Sequence, residues 1–147
     1  MTTGKFWLAC LVAMAGLSAQ AQSTQTVKMV VTANGDAYEY LGESADKYHV
    51  MGQDDGWVDK TTSKIELWSA AKGKGWVCGR QANGTVNIRQ RPDTHAPVIG
   101  QLVSQKGNIP DSARCLGVED GWYRVGYNGT TGYVKASVAH WRARSID

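Results

Sequence analysis

The side chains with the widest chemical reach are three cysteines, three histidines and a set of aromatics with arginines nearby. His49, His95 and His140 are far apart and lack the paired spacing of a zinc site, so neither a metal nor another cofactor is expected. No glycine-rich stretch runs into Lys-Ser/Thr, which argues against a phosphate loop. Neither Cys78 nor Cys115 has a histidine close in sequence, as an activated thiol would want, and no catalytic residue is assigned. In an exported chain such a pair points instead to a disulfide. A Cys78–Cys115 bridge would close a loop of about 37 residues and contribute about 3–4 kcal/mol on chain-entropy grounds. Binding chemistry is better represented. Trp122, Tyr133 and Trp57 fall beside turns, where an exposed ring makes flat apolar contact with a peptide or sugar. Arg89, Arg91 and Arg124 could pair with carboxylates or phosphates. The competing reading has each tryptophan simply capping the core or packing between two units.

Export is read from the first residues. Lys5 supplies a positive n-region, Phe6 to Leu17 is apolar, and Ala19-Gln20-Ala21 is a small-x-small cleavage site, the layout of a secretory signal peptide over residues 1–21. The apolar run is short of the roughly 20 residues that span a bilayer. Leu8-Ala9-Cys10 resembles a lipidation box, but Trp7 fits it poorly and Cys10 lies inside the apolar run. Residues 22–147 hold no second apolar run long enough to cross a membrane, so a periplasmic or secreted protein is expected, and nucleic acid is not among its expected partners. Charge divides unevenly. Residues 22–72 carry five Lys/Arg against eight Asp/Glu, net −3, and residues 73–147 carry ten against five, net +5. That asymmetry suggests two units, the second suited to an anionic partner such as a cell-wall polymer or membrane surface, although ordinary solvated charge explains it too.

The elements that must position these residues read as strands. Helical periodicity is nearly absent, and short runs of Val, Ile, Tyr and Thr alternate with Gly and Asn turns. Val27–Val31 leads through Asn34-Gly35, read as a type I′ turn, into Ala37–Leu41. Tyr48–Met51, Trp57-Val58 and Lys64–Trp68 follow, and Lys72-Gly73-Lys74-Gly75 reads as a short flexible connection. Trp76–Cys78, Thr85–Arg89, Val98–Leu102, Arg114–Val118, Trp122–Tyr127 and Thr131–Val134 complete the set. Period two sends Tyr123, Val125 and Tyr127 to one face, with Trp122 and Arg124 on the other. The expected fold is all-β: an N-terminal hairpin-rich unit over 22–72, a small barrel or sandwich over 73–141, closure of which would hide its strand edges, and a tail over 142–147. Met51–Trp57 echoes Leu116–Trp122, each ending Asp-Gly-Trp, so the first unit reads as a divergent or truncated relative of the second.

Val86-Asn87-Ile88-Arg89-Gln90-Arg91-Pro92-Asp93 resembles the opening signature of bacterial SH3 domains (SH3b). Val98–Leu102 is similar to that family's second strand, Asp120-Gly121-Trp122-Tyr123-Arg124-Val125 to its Gly-Trp-x-x-Val strand, and Tyr127–Val134 to its closing Asn-Gly hairpin with Gly-aromatic-Val. Four motifs in family order cover about residues 86–138. The chain departs from the pattern at Arg91, where Gly commonly precedes the loop proline, at Pro110, and at Cys115, usually an apolar β-branched position. The resemblance implies an SH3-like barrel that binds and does not catalyse. With the export signal, it implies recognition of peptidoglycan or an extended peptide through Trp122, Tyr133, Arg89, Arg91 and Arg124 and, by the echo, Trp57. The alternative is a structural protein that binds another exported protein.

Overall fold

A computed structural model describes residues 25–144; the expected signal peptide and Cys10 lie outside them. The protein is all-β and built from two antiparallel sheets. The first comprises β1 (Val27–Thr32), β2 (Ala37–Glu43), β3 (Lys47–Met51), β4 (Trp57–Asp59), a 3₁₀ turn (Lys60–Thr62) and β5 (Ser63–Trp68), in spatial order β4-β3-β2-β1-β5. On one of its faces Val30, Val50 and Val58 pack with Tyr38, Tyr40, Tyr48 and Ile65 into a small core. From the other face of β1, Met29 enters a larger cluster with Val77, Tyr123, Val125 and Trp141 of the second sheet. The near-continuous apolar run of β1 is therefore satisfied on both sides. Its hairpin differs from the expected type I′ turn. Only Gly35 takes a positive φ (90°), Gly35 N–H bonds Thr32 O at 2.9 Å, and Asp36 O accepts from Thr32 N–H, giving a longer loop.

The second sheet comprises β6 (Trp76–Gly79), β7 (Gly84–Arg89), β8 (Val98–Ser104), β9 (Ser112–Glu119), β10 (Trp122–Tyr127), β11 (Thr130–Lys135), a 3₁₀ turn (Ala136–Val138) and β12 (Ala139–Arg142). Its order is β12-β6-β9-β10-β11-β7-β8. Alternation works here as the sequence indicates: Tyr123, Val125, Val134 and Ile88 are fully buried. The turns at Asp120-Gly121 and Asn128-Gly129 hold both residues at positive φ (49° and 85°; 48° and 76°), which is type I′ geometry. The connection at residues 72–75 is not the flexible tether its composition suggests. Gly75 O accepts Cys115 N–H at 2.9 Å, Lys74 O accepts the Trp141 indole at 2.7 Å, and Lys74 Nζ lies 5.5 Å from the Trp68 ring. An Arg144–Glu39 ion pair at 3.5 Å adds a further tie between the sheets.

The expected disulfide is absent. Cys78 and Cys115 are buried free thiols. The register explains why: β6 sets Cys78 opposite Ser112, not opposite Cys115. Three residues along a strand is about 10 Å and reverses side-chain parity, well beyond the usual Cα separation of a bridge. Cys115 accordingly lies in the main core, where its Sγ is 3.6 Å from Ala70 O.

Without β7 and β8, the second sheet has the same strand order as the first, each with a 3₁₀ turn before its last strand. The correspondence extends to register. Tyr48 opposes Val58 as Tyr123 opposes Val134, and His49 opposes Trp57 as Arg124 opposes Tyr133. Lys60 N–H bonds Asp46 O at 3.0 Å, as Ala136 N–H bonds Gly121 O at 2.9 Å. Each sheet also skips a leucine in the same place, Leu41 between Tyr40 and Gly42 and Leu116 between Cys115 and Gly117, a shared β-bulge. The Asp-Gly-Trp echo is thereby corrected: Trp57 stands where Tyr133 stands, and the position of Trp122 is held by Lys47.

Two outcomes follow from this packing. Denaturation without reductant should leave Cys78 and Cys115 both open to alkylation, read by mass spectrometry, and reductant should not shift the unfolding midpoint. Met29→Ala should destabilise the fold by about 2–5 kcal/mol in urea unfolding, because it empties a site shared by both sheets.

Candidate ligand-binding face

The candidate face begins with how β7 reaches β11. Gly132 has no side chain, and the space a Cβ would fill is taken by Ile88, with Ile99 Cδ1 at 3.2 Å. The Gly-aromatic-Val motif is thus a close-approach device. It sets Tyr133 opposite Arg89 on one side and opposite Arg124 on the other. Directly opposed residues point to the same face, so Arg89, Tyr133 and Arg124 form one row across three strands, with a half-buried ring between two partly exposed guanidinium groups.

Each guanidinium is oriented from behind. Arg89 Nη1 donates to Ala96 O at 2.9 Å, fixing the loop that carries exposed Arg91. The loop is braced further by Gln90 N–H to Pro97 O and His95 N–H to Asp93 Oδ1, both at 2.9 Å. That backbone bond holds the Asp93 carboxyl below its usual range. Arg124 Nη2 donates to Leu116 O at 3.3 Å, with Nη1 3.9 Å from Glu119 Oε1. Arginine has five N–H donors, so these bonds leave both groups able to meet a carboxylate.

Two expected members drop out. Trp122 shares the face of Arg124 but is only 8% exposed, so it cannot offer its ring to a ligand. Trp57 belongs to the other sheet, where it is 38% exposed and stacks on His49 at 4.7 Å and 26°. The sequence reading missed a second basic surface. Arg80, Lys106, His140 and Arg142 line a groove of about 400 Å³ over Cys78. Ser104, also in its lining, has a buried Oγ with no partner among the described residues. The +5 charge of residues 73–147 was its one signal; the pairing of His140 with Cys78 that gathers it is not readable from spacing.

Nucleophilic chemistry is poorly supported. Burial pushes both the Cys78 and Cys115 thiols up, which keeps them protonated. Among the described residues no group of three or more His, Cys, Asp or Glu is placed to hold a metal ion.

Residues 84–139 match the family model described as the bacterial SH3 domain, from the first residue of β7 to the first of β12. This segment is a bacterial SH3 domain. Comparison with curated proteins returns no match. Bacterial SH3 domains are in general binding modules, commonly cell-wall related and often found outside the cytoplasm. No helix among the described residues is long and apolar enough to cross a membrane. The match omits β6 and the whole first sheet, although β6 supplies the strand that joins β12 to β9.

The basic groove carries a pH signature. Burial, then Arg80 and Arg142, lowers the His140 pKa from its ordinary 6.5. Protonation is therefore harder in the folded protein than in the unfolded chain. The associated stability is present above the ordinary value and is lost as pH falls through and below it. Thermal unfolding from pH 8 to pH 5 should show a declining midpoint that His140→Gln partly flattens; an identical slope in that variant would contradict the assignment.

Proposed function

We propose that the protein is an exported, non-catalytic module that binds peptidoglycan through the carboxylates of its peptide chains, using the SH3 face. The observation that carries this reading is the Arg89–Tyr133–Arg124 row. Two oriented guanidinium groups can each donate to a carboxylate, and the ring between them offers flat contact to an extended chain. Exposed Arg91 widens the positive surface at the loop. The net +5 of residues 73–147 would raise the encounter rate with an acidic polymer, and salt would suppress it. The bacterial SH3 match over residues 84–139 supports a binding role over catalysis, and the apolar leader read at residues 1–21 supports export.

Co-sedimentation with purified sacculi tests the reading. Retention should exceed that of an unrelated basic protein and fall as salt rises. Tyr133→Ala and Arg91→Ala together should weaken retention about tenfold, the equivalent of roughly 1.4 kcal/mol, with an unchanged circular dichroism spectrum. Equal retention of the double variant, or none by the native protein at low salt, would remove the basis for the site.

A further inference from the structure

The first sheet repeats the strand order, register, bulge and 3₁₀ turn of the SH3 unit but has nothing in the place of β7 and β8. Where those strands leave β6, the chain here turns directly from Thr32 to Ala37. We propose that this sheet is a second, stripped SH3-like unit, and that the space left by its missing hairpin is a groove that takes an extended, positively charged peptide as an added strand on β4.

The internal template gives the geometry. In the SH3 unit β11 is covered by β7, with Arg89 opposite Tyr133; in the first sheet the equivalent strand β4 is a free edge. Hydrogen bonds at Val50 N to Gly56 O (2.8 Å) and Lys60 N to Asp46 O (3.0 Å) make Tyr48–Val58 the bonded pair between them. The main chains of Trp57 and Asp59 therefore point away from β3, toward the missing strand. Trp57 N–H is held by Asp55 Oδ1 at 3.0 Å, which leaves Trp57 C=O and Asp59 N–H for an incoming strand. The space is real. A groove of about 440 Å³ runs from the Thr32–Asp36 turn to Trp57, Val58 and Asp59. In the SH3 unit Ile88 fills the place over Gly132, whereas a Cβ built on the equivalent Gly56 would meet nothing nearer than His49 at 3.5 Å.

Charge names the occupant. The groove lining holds two carboxylates, Asp36 and Asp59, the latter 3.8 Å from Lys47 Nζ on the neighbouring strand, and no cationic side chain of its own. Asp54 and Asp55 lie in the adjoining loop, and residues 22–72 carry net −3. The main chain of β4 supplies the hydrogen bonds of an added strand, and the acidic rim selects for Lys or Arg beside Trp57. The ligand class is thus opposite in charge to that of the SH3 face.

Titration of the ¹⁵N-labelled protein with a synthetic peptide of residues 84–91 (GTVNIRQR) tests the proposal. Saturable shifts should concentrate at the Trp57 amide and indole and at Asp59, and should weaken as salt rises. A peptide with both arginines replaced by glutamate should bind at least fivefold more weakly. Asp59→Pro is the sharpest variant. Asp59 sits at φ −66°, which proline adopts without strain, and its N–H is not used by β3. It should abolish the shifts at Trp57 while the spectrum of residues 76–142 stays native. Asp36→Asn should reduce affinity about fivefold and leave the site intact. Equal binding of the glutamate peptide, shifts confined to Arg124 and Tyr133, or a groove already closed by a second copy in sedimentation velocity would each overturn the proposal. None of these outcomes bears on sacculus binding, so the two readings fail separately.

Discussion

Strand β7 can lie along β11 because Gly132 gives up its side-chain volume to Ile88, and from that contact the rest of the SH3 unit's surface follows. The pairing is short, with Arg89 and Tyr133 as its registered residues, yet it does two things together. It covers what would otherwise be the open edge of a sheet, and it sets a guanidinium beside an aromatic ring on the solvent face. An alanine at position 132 would have to displace Ile88, and with it the row that orients Arg89. Core packing and ligand chemistry are therefore joined through a single glycine.

The interior and the strands of the SH3 unit were legible in the sequence because period-two alternation is a local signal and its turns are punctuated by Asp-Gly and Asn-Gly. Tyr123 and Val125 are buried and Arg124 faces out, as that alternation requires. Burial on the outward face was not legible. Trp122 shares the parity of Arg124 and is nonetheless covered, since alternation assigns a face and says nothing of what lies over it. The cysteines fail for a related reason. An even count in an exported chain is a statistical argument for a bridge, but bridging needs register, and register between β6 and β9 is set by pairings far apart in sequence. Likewise the echo ending in Trp57 and Trp122 was a match of turn chemistry. The leucine bulges in β2 and β9 align the two sheets differently, and a bulge shows itself only when both partners of a strand pair are known.

The junction between the sheets also escaped the sequence. Gly and Lys at 72–75 have the composition of a tether, yet their carbonyls are taken by Cys115 N–H and the Trp141 indole. Met29 then places a side chain of the first sheet inside the core of the second. A sheet that buries apolar side chains on both faces, as β1 does, gains stability from its neighbour that its own seven-residue core could not provide. This explains how the first unit persists without a closing hairpin: the second unit supplies the missing burial through the opposite face.

Edges are where the two units then part company. An unpaired strand edge invites another chain, and proteins blunt such edges unless they use them. The outer edge of β8 is closed by its own chain, with Val103 N–H bonded to Asp111 Oδ2 and Asp111 N–H to Val103 O, each at 2.9 Å. On the β12 side, the Arg80 guanidinium reaches Ala139 O at 3.4 Å. On β4 the outward Trp57 N–H and Asp59 C=O are taken by Asp55 Oδ1 and Ser63 Oγ, which leaves Trp57 C=O and Asp59 N–H uncovered among the described residues. The strand is limited by other means: it is three residues long and carries Asp59, which together deter pairing with an apolar strand. A short edge beside a groove that carries two carboxylates is a poor template for indiscriminate aggregation and a selective one for a cationic strand. The different treatment of β8 and β4 is what an edge kept for use would require.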